Sequence, residues 1–453
     1  MSDRNDSFKK FREDYPEFVY SGYEISESED TLDIVYRFEI KGLSGFSPKW
    51  SIKKPSKPID TSDKIIRALA FSLGMVELVS YWKITCSPTV TVECGSLDSA
   101  QLEWWKKLYK KGLGEFYYRN GIDPEGDYMS IKCTGNENFS GEQKLCPDSG
   151  KVIIPIGGGK DSAVTIETLK KSADRYCYII NPRQATLDTA EVSGIDRDKW
   201  LIARRTLDKN MLRLNSEGFL NGHTPFSALV AFSSVLTAYM HQIAFVALSN
   251  ESSANESTVK GSDVNHQYSK SLEFESDFIG YESEYIGSGV SYFSLLRPLT
   301  EIGIARIFSR LKPYHPIFRS CNVGSKEDKW CAHCPKCLFV YIVLSPFVEP
   351  ERLAEIFGDN MLDNPEMLRD FDELVGVTPE KPFECVGSRY EVNAALQSII
   401  KRFEKESREL PALLKHYKTL GEPEYDLDSM CDLFDEDNHV PEKFRGAVKQ
   451  MMK

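Results

Sequence analysis

The run VIIPIGGGKDSAVTIETLKKS, residues 152–172, sets three glycines and Lys-Asp-Ser between a short apolar stretch and a stretch of helical spacing. Val152 to Ile156 has the length of a buried strand, and Ser162 to Lys171 continues as a helix. Glycine lets a backbone approach a ligand closely, and a helix start offers unpaired N–H groups and a positive dipole end to an anion. Lys160 adds a charge, Ser162 a hydroxyl, and Asp161 a carboxylate suited to Mg²⁺. Gly157, Gly158, Gly159, Lys160, Asp161 and Ser162 together therefore predict a phosphate-gripping loop. Its spacing matches neither G-x-x-x-x-G-K-[ST] nor G-x-G-x-x-G.

Working outward, the alternation of strand, turn and helix repeats. Further apolar runs at Tyr176 to Ile180, Trp200 to Ala203, Phe245 to Ser249 and Tyr292 to Leu296 predict a parallel sheet with helices on both faces. Upstream, Thr31 to Ile40 alternates apolar and polar residues as a half-buried strand does, and the stretch through Ile52 reads as its hairpin partner. Helices are expected at Lys64 to Trp82 and Ser99 to Asn120, with a strand at Thr89 to Glu93. Beyond Pro346 the spacing is helical throughout, with an acidic stretch from Glu422 to Asp437. The expected organisation is α/β: an α+β N-terminal domain over 1–147, a candidate for substrate binding, a parallel-sheet domain over 148–345, and a helical region over 346–453.

A chain of 453 residues has room for two or three domains, and 41% hydrophobic with 27% charged residues is ordinary globular composition. The net charge of −12 argues against a surface devoted to nucleic acid. The charged start MSDRNDSFKKFREDYPEF has no apolar core of a signal peptide, so a cytoplasmic protein is expected. Phe226 to Ser249 is nearly uncharged, but its serines, threonine and histidine favour a buried helix followed by a strand over a membrane span.

Four of the eleven cysteines cluster in SCNVGSKEDKWCAHCPKC as Cys321, Cys331, Cys334 and Cys337. Four thiolates so spaced suit a structural Zn²⁺ or an iron–sulfur cluster, and free thiols are the remaining reading. Cys86, Cys94, Cys133, Cys146, Cys177, Cys385 and Cys431 are scattered and read mostly as core thiols. The phosphate loop resembles the S-G-G-x-D-S loop of the N-type ATP pyrophosphatases, with Gly157 in place of the first serine. That resemblance implies a HUP/Rossmann-like domain. FVALSNESSANES then places Ser249 and Asn250 at a strand end, and Arg297 in LLRPLTEIGIARIF becomes a candidate phosphate contact. The cysteine spacing is similar to that of 7-cyano-7-deazaguanine synthases.

Longer stretches, among them VELVSYWKITCSP, WWKKLYKKGLGEFYYRNGID, TPFSALVAF and VNHQYSKSLEFE, resemble the UDP-N-acetyl-α-D-muramoyl-L-alanyl-L-glutamate epimerases from roughly Glu17 to Pro350. The resemblance implies ATP-dependent adenylation of the terminal L-Glu carboxylate, inversion at Cα, and release of AMP and pyrophosphate. A nucleotide-sugar peptide is then the partner, with ATP, Mg²⁺ at Asp161, and structural Zn²⁺. Lys160 and Asp161 are the expected catalytic pair of the loop. His266 and Lys270, beside His223 and Tyr268, are candidates for proton transfer. The stretch Trp104, Trp105, Lys106, Lys107, Lys110 and Lys111 reads either as a contact for UDP or as a solvated helix face with a tryptophan pair in the core. A tRNA- or nucleobase-modifying ATP pyrophosphatase is the second reading of the chain, and a nucleotide-binding sensor the third.

Overall fold

The computed structural model describes residues 2–124, 128–139 and 150–453. The helix α1 (Ser2–Asp14) leads into β1 (Glu17–Glu27), a strand that sequence patterning misses. Antiparallel partners follow as β2 (Thr31–Ile40), β3 (Ser44–Phe46) and β4 (Lys49–Lys53). Next come α2 (Lys64–Trp82), β5 (Thr89–Val92), α3 (Ser99–Gly112), α4 (Gly114–Asn120) and β6 (Ser130–Cys133). Asp63 starts α2 by accepting from the Ile65 and Ile66 N–H groups at 2.8 and 3.3 Å. By length and composition α2 could cross a membrane, yet 94% of its apolar window is buried inside the protein.

The helix expected over 99–120 breaks in two at Leu113. Gly112 lies against Pro225, where an added Cβ would stand 2.9 Å from the proline Cβ, a contact made by a residue more than a hundred positions away. The break puts Glu115 in the first turn of α4.

From residue 151 the strands run parallel. β7 (Lys151–Pro155), α5 (Lys160–Leu169), β8 (Asp174–Ile180), α6 (Gln184–Val192) and β9 (Trp200–Thr206) wind in one direction. After α7 (Lys209–Ser216) and α8 (Phe226–Met240), the chain returns to the other side of β7 as β10 (Phe245–Leu248). The nearly uncharged stretch is thus a helix and an internal strand. It continues through α9 (Leu272–Tyr281) to β11 (Ser291–Ser294), then α10 (Glu301–Ser309) and α11 (Pro335–Leu344). The last part is helical, as its spacing predicts: α12 (Pro350–Phe357), α13 (Leu368–Val375), α14 (Arg389–Lys405), α15 (Ala412–Tyr417), α16 (Leu427–Asp432) and α17 (Glu442–Met452).

All strands belong to one mixed, mostly parallel sheet in the order β11-β10-β7-β8-β9-β4-β2-β1-β5-β6, with β3 beside β2. The expected boundary near 147–148 lies outside the described residues, as does Cys146. Residues on either side of it share the sheet, because β4 and β9 pair antiparallel, Trp50 opposite Arg205. Both faces are covered: Ile153, Tyr178 and Val246 face one apolar core, while Ile154, Cys177 and Ala247 face the other. That double burial explains the unbroken apolar runs of β7, β8 and β10.

A buried ion pair ties the two halves. Arg205 Nη2 donates to Glu77 Oε1 at 2.8 Å, and Trp50 Nε1 donates to Glu77 Oε2 at 3.0 Å. The Glu77 side chain is 0% exposed. Arg205→Ala would leave that carboxylate buried without its cation, so a loss of about 3–5 kcal/mol in urea unfolding is expected. A loss below about 1 kcal/mol would mean that solvent reaches Glu77.

Candidate active site

The order of β9 and β10 about β7 creates a switch point, where chain leaves the ends of β7 and β10 in opposite directions and a crevice opens between. A cleft of about 510 Å³ occupies it. Pro155, Gly157, Gly159, Asp161 and Ser162 line one side, and Leu248 to Glu251 another. Three cationic side chains, Arg183, Lys270 and Lys336, also face it.

Gly159 begins α5 and has no side chain to cap it, so the first N–H groups of the helix are left to the cleft. Gly158 has φ +82°, and a Cβ there would meet Ala185 Cβ at 3.0 Å and backbone of α6 at 3.2 Å. A Cβ on Gly157 would meet nothing within 4 Å. The loop is therefore tight underneath and open above. Ser162 Oγ donates to the Gly159 carbonyl at 3.0 Å, bracing the turn.

Lys160 departs from expectation. Its side chain is 4% exposed, and its ammonium is bonded to Asp161 and Glu301 rather than lining the cleft. Burial works against that charge, but the two carboxylates hold it and raise its pKa. Burial pushes the Glu301 carboxyl up despite the pull of Lys160. Asp161, 32% exposed, keeps access to the cleft.

Ser249 and Asn250 line the cleft. The Ser249 hydroxyl is buried with no hydrogen-bond partner among the described residues, whereas Asn250 donates to Ser294 Oγ at 3.0 Å. Arg297 needs correcting: expected to face phosphate, it is 1% exposed and binds the Glu251 and Lys270 carbonyls and Glu275 Oε2. Its Nη1 and Nη2 donors go to two peptide carbonyls and the Glu275 carboxylate, so it braces the segments that carry Glu251 and Lys270.

His266 and Lys270 meet at the opposite wall together with two groups that sequence reading passed over. Lys270 Nζ donates to Cys385 Sγ at 3.2 Å. His266 also hydrogen-bonds Cys385, and its Nδ1 lies 2.5 Å from Glu115 Oε2. The His223 ring stands beside it, centroids 4.4 Å apart. Burial alone would raise the Cys385 thiol, but the Lys270 ammonium and the His266 hydrogen bond outweigh it and bring it down to about 6. Burial disfavours the His266 imidazolium, yet Cys385 and Glu115 bring it up to about 9. His223, by burial and the charge on His266, falls to about 4. Cys385 is thus no core thiol; KPFECVGS carries no local signal, and only the fold brings it to the cleft.

A histidine raised in the folded state stabilises fully below its ordinary pKa near 6.5 and loses that stabilisation as pH rises through the folded value. His266→Gln is accordingly expected to cost on the order of 3 kcal/mol near pH 7 and much less at pH 10. Urea unfolding of both proteins across that range checks it; a pH-independent difference would refute the ion pair.

Tyr268 lies outside the cleft wall, its hydroxyl 3.5 Å from Asp277. The tryptophan pair is a packing feature: Trp105 Nε1 donates to Tyr281 at 3.1 Å and Trp104 Nε1 to the Asp277 carbonyl at 2.9 Å. Lys107 and Lys111 pair with Glu273 on α9, at 2.9 and 2.6 Å.

The four clustered cysteines come together. Cys334 Sγ lies 3.5 Å from Cys337, Cys331 lies 3.7 Å from Cys337, and Cys321 lies 3.9 Å from Cys334. The Gly324 N–H donates to Cys321 Sγ at 3.1 Å. Pro335 opens α11, whose apolar side chains are buried in the second core, and the knuckle borders the cleft through Ser320, Asn322 and Lys336.

Fold and cleft together define a mixed α/β protein with a candidate ligand site at the switch point of a mostly parallel sheet. Two family models match it, the MurL N-terminal domain over residues 9–295 and the MurL C-terminal domain over 317–424. Three proteins named UDP-N-acetyl-α-D-muramoyl-L-alanyl-L-glutamate epimerase are similar along most of their length. That of Salinispora tropica is 33% identical over 84% of each chain, and that of a Micromonospora species 30% identical over 96% of this chain and 98% of its own. That of Xanthomonas oryzae pv. oryzae is 35% identical over 73% and 74%. No solved structure matches. The chain belongs to this epimerase family.

Proposed function

We propose that this chain inverts the terminal L-glutamyl residue of UDP-N-acetylmuramoyl-L-alanyl-L-glutamate to D-glutamyl, for peptidoglycan synthesis, with ATP activating the carboxylate. One observation carries the reading: the glycine loop, the uncapped start of α5 and the titratable groups around Cys385 open onto the same switch-point cleft. The strand order around that cleft supports a HUP/Rossmann-like arrangement of the ATP-pyrophosphatase kind. An orphaned Ser249 hydroxyl, an open Gly157 and the cations Arg183 and Lys336 fit a nucleoside triphosphate.

In this reaction a glutamyl carboxylate oxygen attacks the α-phosphorus, the bond to pyrophosphate breaks, and an acyl-adenylate forms. The carboxylate charge, which opposes loss of the Cα proton, is gone, and the carbonyl becomes a better electron sink. After inversion, water releases AMP. The loop N–H groups would bind phosphate oxygens, and Arg183 and Lys336 would offset charge gathering on the leaving pyrophosphate. Asp161 would hold Mg²⁺, which supplies further charge neutralisation there. A reaction that consumes ATP fits a cytoplasmic site of action.

The knuckle fits a single tetrahedral ion. Thiolates 2.3 Å from one Zn²⁺ stand about 3.8 Å apart, close to the spacings observed, whereas the cube of an iron–sulfur cluster would hold them wider. Its place under α11 supports a structural role.

The test is incubation of the muramoyl dipeptide with enzyme, ATP and Mg²⁺ in D₂O. D-Glu carrying deuterium at Cα is expected, with AMP and pyrophosphate, and an unchanged, unlabelled L-peptide without ATP. Free L-glutamate is expected to react poorly, lacking the nucleotide-sugar portion whose binding energy positions the reacting end. Inversion without ATP would refute the role given to the loop.

A further inference from the structure

Phosphate binding and metal holding leave one set of cleft side chains unused. Cys385 comes from the segment before α14, His266 and Lys270 from the segment before α9, and Glu115 from α4. Three separate parts of the chain thus converge on one thiol. The side chains of Glu115 and His266 are only 9% and 11% exposed, and their short contact fixes the imidazole against Cys385. Glu115 reaches this place only because the helix breaks at Leu113. Cys385 lines the same cleft as the phosphate loop.

We propose that the Cys385 thiolate is the base that takes the Cα proton of the activated glutamyl residue, held in place by Lys270 and the Glu115–His266 pair. The inference rests on the epimerase reading above. Among the nearby groups, Lys270 and His266 are both shifted toward their protonated forms and cannot accept a proton at neutral pH. His223 is neutral but a weak base, with its pKa near 4. A thiol near 6 is ionised at neutral pH and matches the strength that general-base catalysis requires.

In the step, a sulfur lone pair takes the proton and an S–H bond forms as the Cα–H bond breaks. The electron pair of that bond moves into a Cα–C double bond, and the carbonyl π pair moves onto oxygen. A proton drawn from solvent adds to the opposite face and restores the carbonyl. The thiol returns its own proton to solvent, and no oxidant or reductant is involved.

The test uses the full chain with the muramoyl dipeptide, ATP and Mg²⁺ in D₂O, comparing wild type with Cys385→Ala and Cys385→Ser. Expected are folded variants that still catalyse substrate-dependent exchange of pyrophosphate into ATP, while Cα deuterium uptake falls by about 10²–10⁴-fold. Iodoacetamide mapping gives an arm that needs no variant: Cys385 should alkylate rapidly at pH 7 and be protected by the dipeptide with a non-hydrolysable ATP analogue. Deuterium uptake by Cys385→Ala within tenfold of wild type would overturn the proposal. So would joint loss of pyrophosphate exchange in a folded variant, a thioester on Cys385, or no protection from alkylation. A wild-type chain that makes neither AMP nor D-Glu would instead remove the epimerase reading, and the base assignment with it.

Discussion

Pyrophosphate release is expected to fall about 10²–10³-fold when Asp161 is replaced by Asn, with thermal unfolding almost unmoved. Asp161 is the loop carboxylate that keeps access to the cleft, while Lys160 stays paired with Glu301 when the charge at 161 is removed. The buried ammonium therefore keeps a counter-charge, and the loss belongs to charge neutralisation at the leaving group. Ser162→Ala is expected to cost less, because its hydroxyl is already committed to the Gly159 carbonyl. Both variants are measured by substrate-dependent pyrophosphate formation. Turnover of Asp161→Asn at the wild-type rate would refute the assignment of the loop.

The second large effect lies in the knuckle. Cys334→Ser removes one of the four clustered sulfurs, at the residue just before α11, and with it the contribution that the proposed ion would make to folding. A loss on the order of 4 kcal/mol or more is expected, alongside loss of an equivalent of zinc from the purified protein. Cys177→Ser, in a buried thiol away from the knuckle, is the comparison and should retain the metal. Metal analysis that finds no zinc in wild type, or finds iron with sulfide, would refute the zinc site.

The parts legible in sequence are those whose signals are local. Strand, three glycines and helix start lie within twenty residues, and four cysteines within seventeen, so each group reports its own geometry. The helix Lys64–Trp82 and the strand Thr31–Ile40 were readable from apolar spacing to the residue. Cys385 was not, because its partner Lys270 is 115 positions away, and Glu115 is 151 from His266. Arg297 misled for a related reason. A basic residue after a strand end looks alike whether it faces a ligand or supports the loops from behind, and only its burial against Glu275 decides. The break at Leu113 has a local mark in the flanking Gly112 and Gly114, whereas the close approach of Pro225 to Gly112 shows only in the fold.

The antiparallel seam between β4 and β9 limits how this chain can be cut or recombined. Separating β1–β6 from β7–β11 would bare two strand edges at once, each a row of N–H and C=O groups ready to pair with another molecule. It would also strand Glu77 without Arg205. A chimera joining the front of one relative to the back of another must therefore inherit the Trp50–Arg205 register from both parents, and crossovers that shift it by one residue would turn Trp50 from the core to the opposite face.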